Sequence, residues 1–334
     1  MWLVDTFFLN PDGRKFIGRV LTRLNKMQPA RAMGALHGRV AAGPGWCARR
    51  LLSALREFAC GRLCALLPPC ALVFGCAMGR AAAPGTAFFY GAPVPVSALS
   101  HYERVVVEAE NLQDLAALRK AGADVFAYLS VGEAEGWRAS SRALPPTLFL
   151  GTNAAWQSRI ADLAHPGWQR YLLEDRMAAL WAAGYRGFFL DTLDSYLLAA
   201  RSPAEQQAQR SALVALIRAM HQRFPGVRLM FNRGFEVLPD VGSLAVGLAA
   251  ESLFQRWNPV TQKYETVSEN DRRWLLARLD EARLRYGLPV TVIDYVPANQ
   301  PELARATARR IVALGFTAWV ANPGLDVISI GVEP

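Results

Sequence analysis

From Pro84 onward the sequence repeats one unit eight times, a short apolar segment that closes on a polar or turn-forming residue, most of them followed by a stretch with helical spacing. The segments are Phe88 to Gly91, Val105 to Glu108, Val125 to Val131, Gly187 to Asp191, Arg228 to Asn232, Leu244 to Glu251, Val290 to Tyr295, and Thr317 to Asn322. Such alternation predicts parallel strands covered by helices. Eight of them in about 250 residues match an α/β fold of the (β/α)8 barrel type in number and size. A doubly wound open sheet is the alternative, but no Gly-x-Gly-x-x-Gly follows the first strand. Four helices are well marked: Leu112 to Ala121, Trp168 to Ala183, Arg272 to Tyr286, and Pro301 to Leu314. Each stops at a glycine, the usual left-handed terminator, and Pro301 suits a first helical turn.

Charge divides the chain at the same boundary. Up to Ala83 there are 12 Lys+Arg against Asp5, Asp12 and Glu57, so the whole net charge of +9 lies in this leader and the remainder carries 25 of each sign. A basic chain suggests nucleic acid only when the excess covers a folded surface, so no nucleic-acid partner is expected. Within the leader, Arg49, Arg50 and Arg56 precede the apolar run Leu63 to Gly75, and small residues follow to Ala83. This is the order of a secretory signal. The signal is placed at about residues 49–83, and the residues before it read as a start assigned too far upstream. Pro68 and Pro69 break a run already short for crossing a bilayer, so membrane contact is expected only through an uncleaved leader. The domain of residues 84–334 is expected outside the cytoplasm, periplasmic or extracellular. All five cysteines, Cys47 to Cys76, fall in the leader. A disulfide, a thiol nucleophile and a cysteine metal site are thereby excluded from the remainder.

Catalytic groups of such a barrel sit at the carboxyl ends of its strands. Those ends supply Tyr90, Glu108, Tyr128 with Glu133, Asp191 with Asp194, Asn232, Glu251, and Asp294 with Tyr295. Asp191 and Glu251 each close an apolar run, and they form the favoured pair. Carboxylates grouped in a desolvated cleft raise one another's pKa, which makes one of them a proton donor near neutral pH. Paired carboxylates point first to glycoside hydrolysis. Trp137, Trp156 and Trp257 fall in loops beyond strands three and six, and Trp257 is the indole expected to stack on sugar. His101, His165 and His221 show no ligand spacing, so neither a metal nor a cofactor is expected. No Gly-x-Ser-x-Gly elbow supports a serine triad.

The segment Phe189-Leu190-Asp191-Thr192-Leu193-Asp194-Ser195-Tyr196 resembles the barrel domain of PelA-type hydrolases and the endo-α-1,4-polygalactosaminidases of glycoside hydrolase family 114. It is preceded by Trp156 and Asp162-Leu163-Ala164-His165-Pro166-Gly167-Trp168, while Phe89-Tyr90-Gly91 and Ala127-Tyr128-Leu129-Ser130-Val131-Gly132-Glu133 fit the same pattern. The resemblance covers roughly Phe88 to Asp326. It implies a (β/α)8 fold, endo-cleavage of α-1,4-linked galactosamine/N-acetylgalactosamine polysaccharide, and catalytic carboxylates at Asp191 and Glu251. Full-length relatives of the PelA type add a polysaccharide deacetylase region, which leaves polymer synthesis and degradation both open for a chain ending at Pro334. A non-catalytic glycan-binding barrel is the rival reading, although binding alone would tolerate amides in place of the two acids.

Overall fold

The computed structural model describes residues 83–136, 138–328 and 330. The expected leader, apart from Ala83, and Trp137 lie outside the described residues. Among the described residues no helix is long and apolar enough to cross a membrane.

Among the described residues there are thirteen strands. Eight build the barrel: β1 (Ala83–Phe89), β2 (Tyr102–Val107), β3 (Asp124–Ser130), β7 (Gly187–Asp191), β8 (Arg228–Asn232), β9 (Ala245–Glu251), β12 (Val290–Tyr295) and β13 (Thr317–Ala321). They pair in parallel in that order, and β13 comes back against β1 to make the (β/α)8 barrel that the repeat predicts. Their burial explains the apolar composition, because a parallel strand is covered inside by the barrel core and outside by helices. All of β7 and β12 is buried.

Among the described residues the helices longer than four residues are α1 (Leu115–Lys120), α2 (166–182), α3 (Pro203–Arg223), α4 (Glu269–Tyr286) and α5 (Pro301–Ala313). In α2, Pro166–Arg170 leads through a π-helical stretch, Tyr171–Met177, into Ala178–Ala182. Gly287 ends α4 with φ 67°, the left-handed conformation that a side chain would oppose. The sequence reading did not mark α3 among its helices, although its start was written there. Ser202 accepts from the Glu205 N–H while the Glu205 carboxylate accepts from the Ser202 N–H, a capping box followed at once by Pro203.

Two insertions stand outside the repeat. After β3 comes a three-stranded antiparallel sheet of β4 (Glu133–Glu135), β5 (Phe149–Asn153) and β6 (Ser158–Ala161). After β9 comes a hairpin of β10 (Gln255–Asn258) and β11 (Lys263–Thr266). Side chains alternate across a strand, so a residue seated in the barrel core puts the residue two further on at the mouth. Phe88 packs edge-on against Phe189 at 5.2 Å between ring centres. Tyr90 and Asp191 stand two residues beyond them.

Candidate active site

Asp191 ends β7, with 2% of its surface exposed. The strand breaks immediately after it because Thr192 has φ 64°, a conformation that a β-branched residue rarely takes. Hydrogen bonds hold it there. The Thr192 hydroxyl donates to the Asp191 carbonyl at 2.6 Å and accepts from the Gly132 N–H at 2.7 Å. A Cβ on Gly132 would lie 2.1 Å from the Thr192 carbonyl oxygen, so only glycine permits this approach.

Asn232 and Glu251 end the next two strands. Asn232 pairs in register with Ala249, which puts Glu251 two residues higher on the same face. One nitrogen joins the two acids: Asn232 Nδ2 donates to Asp191 Oδ1 at 2.7 Å and to Glu251 Oε1 at 3.1 Å. Those two oxygens are therefore at most about 5.8 Å apart. Each acid also meets a tyrosine. Tyr128 Oη lies 2.9 Å from Asp191 Oδ2, and Tyr295 Oη lies 2.7 Å from Glu251 Oε2.

Desolvation dominates the electrostatics. Burial pushes the Asp191 carboxyl up to about 7 against the pull of its hydrogen bonds from Asn232, Thr192 and Tyr128. Burial, and then the charge of Asp191, push Glu251 up to about 8. Both carboxyls are raised toward neutrality, and the charge of Asp191 is one cause of the rise at Glu251, so the pair can hold a shared proton near neutral pH. Burial and the same two carboxylates hold the Tyr90 hydroxyl well above its ordinary value, so it stays protonated. Its ring meets Tyr128 edge-on at 5.3 Å.

The remaining acids proposed for the mouth have other partners. Arg138 is buried and clamps Glu108 with both terminal nitrogens while its Nε donates to Glu135 at 3.0 Å. Glu133 sits on β4, accepting from Ser158 and from Asn153, with burial raising its carboxyl. Asp194 is raised by burial and lowered by the charge of Arg233. Trp257 is half-buried on β10, packed edge-on against Tyr264 at 4.9 Å, whereas Trp156 is buried. Asp294 departs from the sequence reading. Its neighbour Tyr295 turns inward to Glu251, so Asp294 must face the other side of β12, and its oxygens accept backbone N–H groups instead of opening to the mouth. Sequence reasoning missed Arg138, Glu135 and Thr192. Arg138 lies in an irregular insertion, where no periodicity indicates direction.

A buried pair of acids joined through one amide and holding a shared proton can attack an acetal carbon and protonate its leaving oxygen. Among the described residues no group of three His, Cys, Asp or Glu side chains is placed to hold a metal ion.

Comparison with known proteins agrees with this chemistry. The model of glycoside-hydrolase family GH114 matches residues 84–332. The glycoside hydrolase domain of PelA from Pseudomonas aeruginosa is 39% identical and superposes with a TM-score of 0.68, over 75% of this chain and 98% of that one. Ega3 of Aspergillus fumigatus, solved in complex with galactosamine, shares the fold at 16% identity and a TM-score of 0.53, over 75% of this chain and 94% of that one. An uncharacterised protein of Methanocaldococcus jannaschii is 25% identical over 202 residues, 55% of this chain and 55% of the relative, so the match spans about half of each. The chain belongs to glycoside-hydrolase family GH114 and is a glycosidase.

Proposed function

We propose that this GH114 glycosidase is an exported, retaining endo-enzyme that cleaves α-1,4-linked galactosamine/N-acetylgalactosamine polysaccharide. The observation that carries the mechanism is the bridge from Asn232 Nδ2 to both acids. The facing oxygens of the two acids, held within about 5.8 Å, stand nearer the roughly 5 to 5.5 Å of retaining carboxyls than the roughly 6.5 to 9.5 Å of inverting ones, which supports the retaining reading. In the first step an Asp191 oxygen forms a bond to C1, the glycosidic C1–O bond breaks, and the Glu251 proton passes to the departing oxygen. In the second, water attacks C1, its proton goes to the Glu251 carboxylate, and the Asp191–C1 ester bond breaks. Two inversions restore the α configuration. Tyr90, Tyr128 and Tyr295 border the reacting pair, and Trp257 is the candidate platform for a neighbouring sugar. The substrate class is supported by the galactosamine seen with Ega3, which shares the fold, and by the family match.

The purified domain of residues 84–334 is expected to release oligosaccharides from partly deacetylated galactosaminogalactan, read by mass spectrometry, with the α anomer first in time-resolved NMR. Initial release of the β anomer would replace the retaining mechanism with an inverting one.

Charge at the mouth bears on acetylation. Arg138 offsets only one of the two acids it binds, Glu108 and Glu135, Arg233 offsets Asp194, and Asp294 faces away. The negative field therefore comes from the Asp191–Glu251 pair, Glu133 and the charge left on the Arg138 cluster. A cleft of one sign concentrates ligands of the other, and a deacetylated galactosamine carries an ammonium group. Partly deacetylated polymer should therefore be cleaved faster than fully acetylated polymer, by roughly tenfold at most in low salt, with the ratio shrinking as salt screens the rim. The check is kcat/KM on both polymers at two salt concentrations. An acetylated preference unchanged by salt would assign selection to contacts with the acetamide.

Export is supported by the order of the leader, a basic segment followed by an apolar run and then small residues. Expressed at full length in a bacterial host, the protein should be recovered outside the cytoplasm trimmed between about Ala77 and Ala83, as N-terminal sequencing would show. Recovery with the leader intact would make it an anchor.

A further inference from the structure

Asp294 is fully buried near the end of β12, and the acid-base reading gives it no role. Three successive backbone N–H groups close on its carboxylate: Leu253 donates to Oδ1 at 2.6 Å, and Phe254 and Gln255 donate to Oδ2 at 2.8 and 2.9 Å. These amides belong to the exit of β9, two to four residues past Glu251. Gln255 also opens β10, the strand that carries Trp257. The clasp is covered from the helix side, where the Arg310 guanidinium of α5 lies 3.9 Å above the Phe254 ring. A buried carboxylate is costly unless strong donors satisfy it, and bonds from N–H to an ionised acceptor are the stronger kind. Substitution is correspondingly restricted. An asparagine has one acceptor oxygen and would turn its amide nitrogen against N–H donors.

We propose that Asp294 is a positioning residue that fixes, through one carboxylate, both the strand exit carrying Glu251 and the root of the hairpin carrying Trp257, without touching substrate itself. The inference rests on the reading of Glu251 as acid and base. Burial raises the Asp294 carboxyl to about 6 while its three N–H donors and the charge of Arg310 pull it down, so it is ionised at neutral pH, the form that three donors require. Glu251 in turn faces Asp191, Asn232, Arg233, Tyr90 and Tyr295. Asp294→Asn removes a negative charge, which by itself lowers the Glu251 pKa. The charge-conserving Asp294→Glu, too long for the clasp, is therefore compared with it, and a Glu251 titration that moves in both variants reports solvent exposure and not charge.

The test is Asp294→Asn beside Asp294→Glu in the full chain, assayed on partly deacetylated polymer. The kcat value should fall roughly ten- to hundredfold, in the range of a misplaced acid-base group. The alkaline limb of the pH profile should also move to lower pH in both variants, because a loosened exit lets water reach Glu251. A higher KM with kcat and the limb unchanged would make Asp294 a substrate-binding group and overturn the proposal. A lower melting temperature with an unmoved limb would make it a structural brace only, which also overturns it. Hydrogen exchange on the wild-type protein decides the clasp even if the variant does not fold. The Leu253 and Phe254 amides, outside any strand, should exchange as slowly as those of β12, and fast exchange would remove the clasp. A wild-type enzyme inactive on the polymer would defeat the substrate assignment, while the exchange result would still stand for Asp294.

Discussion

Replacing Asp191 by Asn, or Glu251 by Gln, should lower kcat/KM by at least about 10³-fold while the barrel stays folded. Each change keeps the shape and removes only a charge or a titrating proton, and a catalytic group that acts as one of a pair leaves little activity when its partner works alone. The two losses should differ in kind. An aryl galactosaminide with an acidic phenol departs without protonation, so Glu251→Gln should still form the glycosyl-enzyme and accumulate it. Asp191→Asn should form none with any leaving group. Mass spectrometry of the intact protein separates these outcomes, and an adduct in the Asp191→Asn variant would move the nucleophile elsewhere. Asp194→Asn should be milder, because the charge that acts on Asp194 is that of Arg233, and neither Asp191 nor Glu251 is hydrogen-bonded to it. The wild-type pH profile should be a narrow bell. Activity falls below about 7 as Asp191 takes up a proton and above about 8 as Glu251 loses one.

The eight-strand repeat was legible because parallel strands buried on both faces must be nearly continuous apolar runs. Gly187–Asp191, Arg228–Asn232 and Val290–Tyr295 were bounded correctly in the sequence for that reason. The paired acids were legible for a related reason, since a charge closing such a run has only the barrel mouth to enter. The directions of other acids were harder to read. Asp294 and Tyr295 were both assigned to the mouth, yet consecutive strand residues face opposite sides, so one of them had to point out. Glu108 closes its apolar run in the sequence as Asp191 does, and nothing local to it announces Arg138 thirty residues later in an irregular insertion. The left-handed Thr192 was beyond sequence reasoning. Its conformation depends on Gly132, sixty residues away, coming within hydrogen-bond reach of the hydroxyl.

The same desolvation that prepares the two acids should weaken the fold at neutral pH, and the two variants should melt higher than the wild type there. Both carboxyls are raised, to about 7 and about 8, from unfolded values of about 3.9 and 4.3. A group bound to its proton more tightly in the folded state contributes stability that is complete below the unfolded pKa and is lost as pH rises through the folded one. The wild type should therefore lose stability between about pH 4 and about pH 8, by about 2 to 4 kcal/mol for each acid once the remaining hydrogen bonds are allowed for. An amide has no proton to lose over that range and still fits the hydrogen bonds around it. Asp191→Asn and Glu251→Gln should thus show flatter stability profiles and melt roughly 5 to 10 °C above the wild type near pH 8. Thermal unfolding of all three proteins across that pH range is the measurement. A wild type that gains stability as pH rises would mean that the pair ionises at ordinary carboxylate values, and Glu251 would then hold no proton to donate at neutral pH.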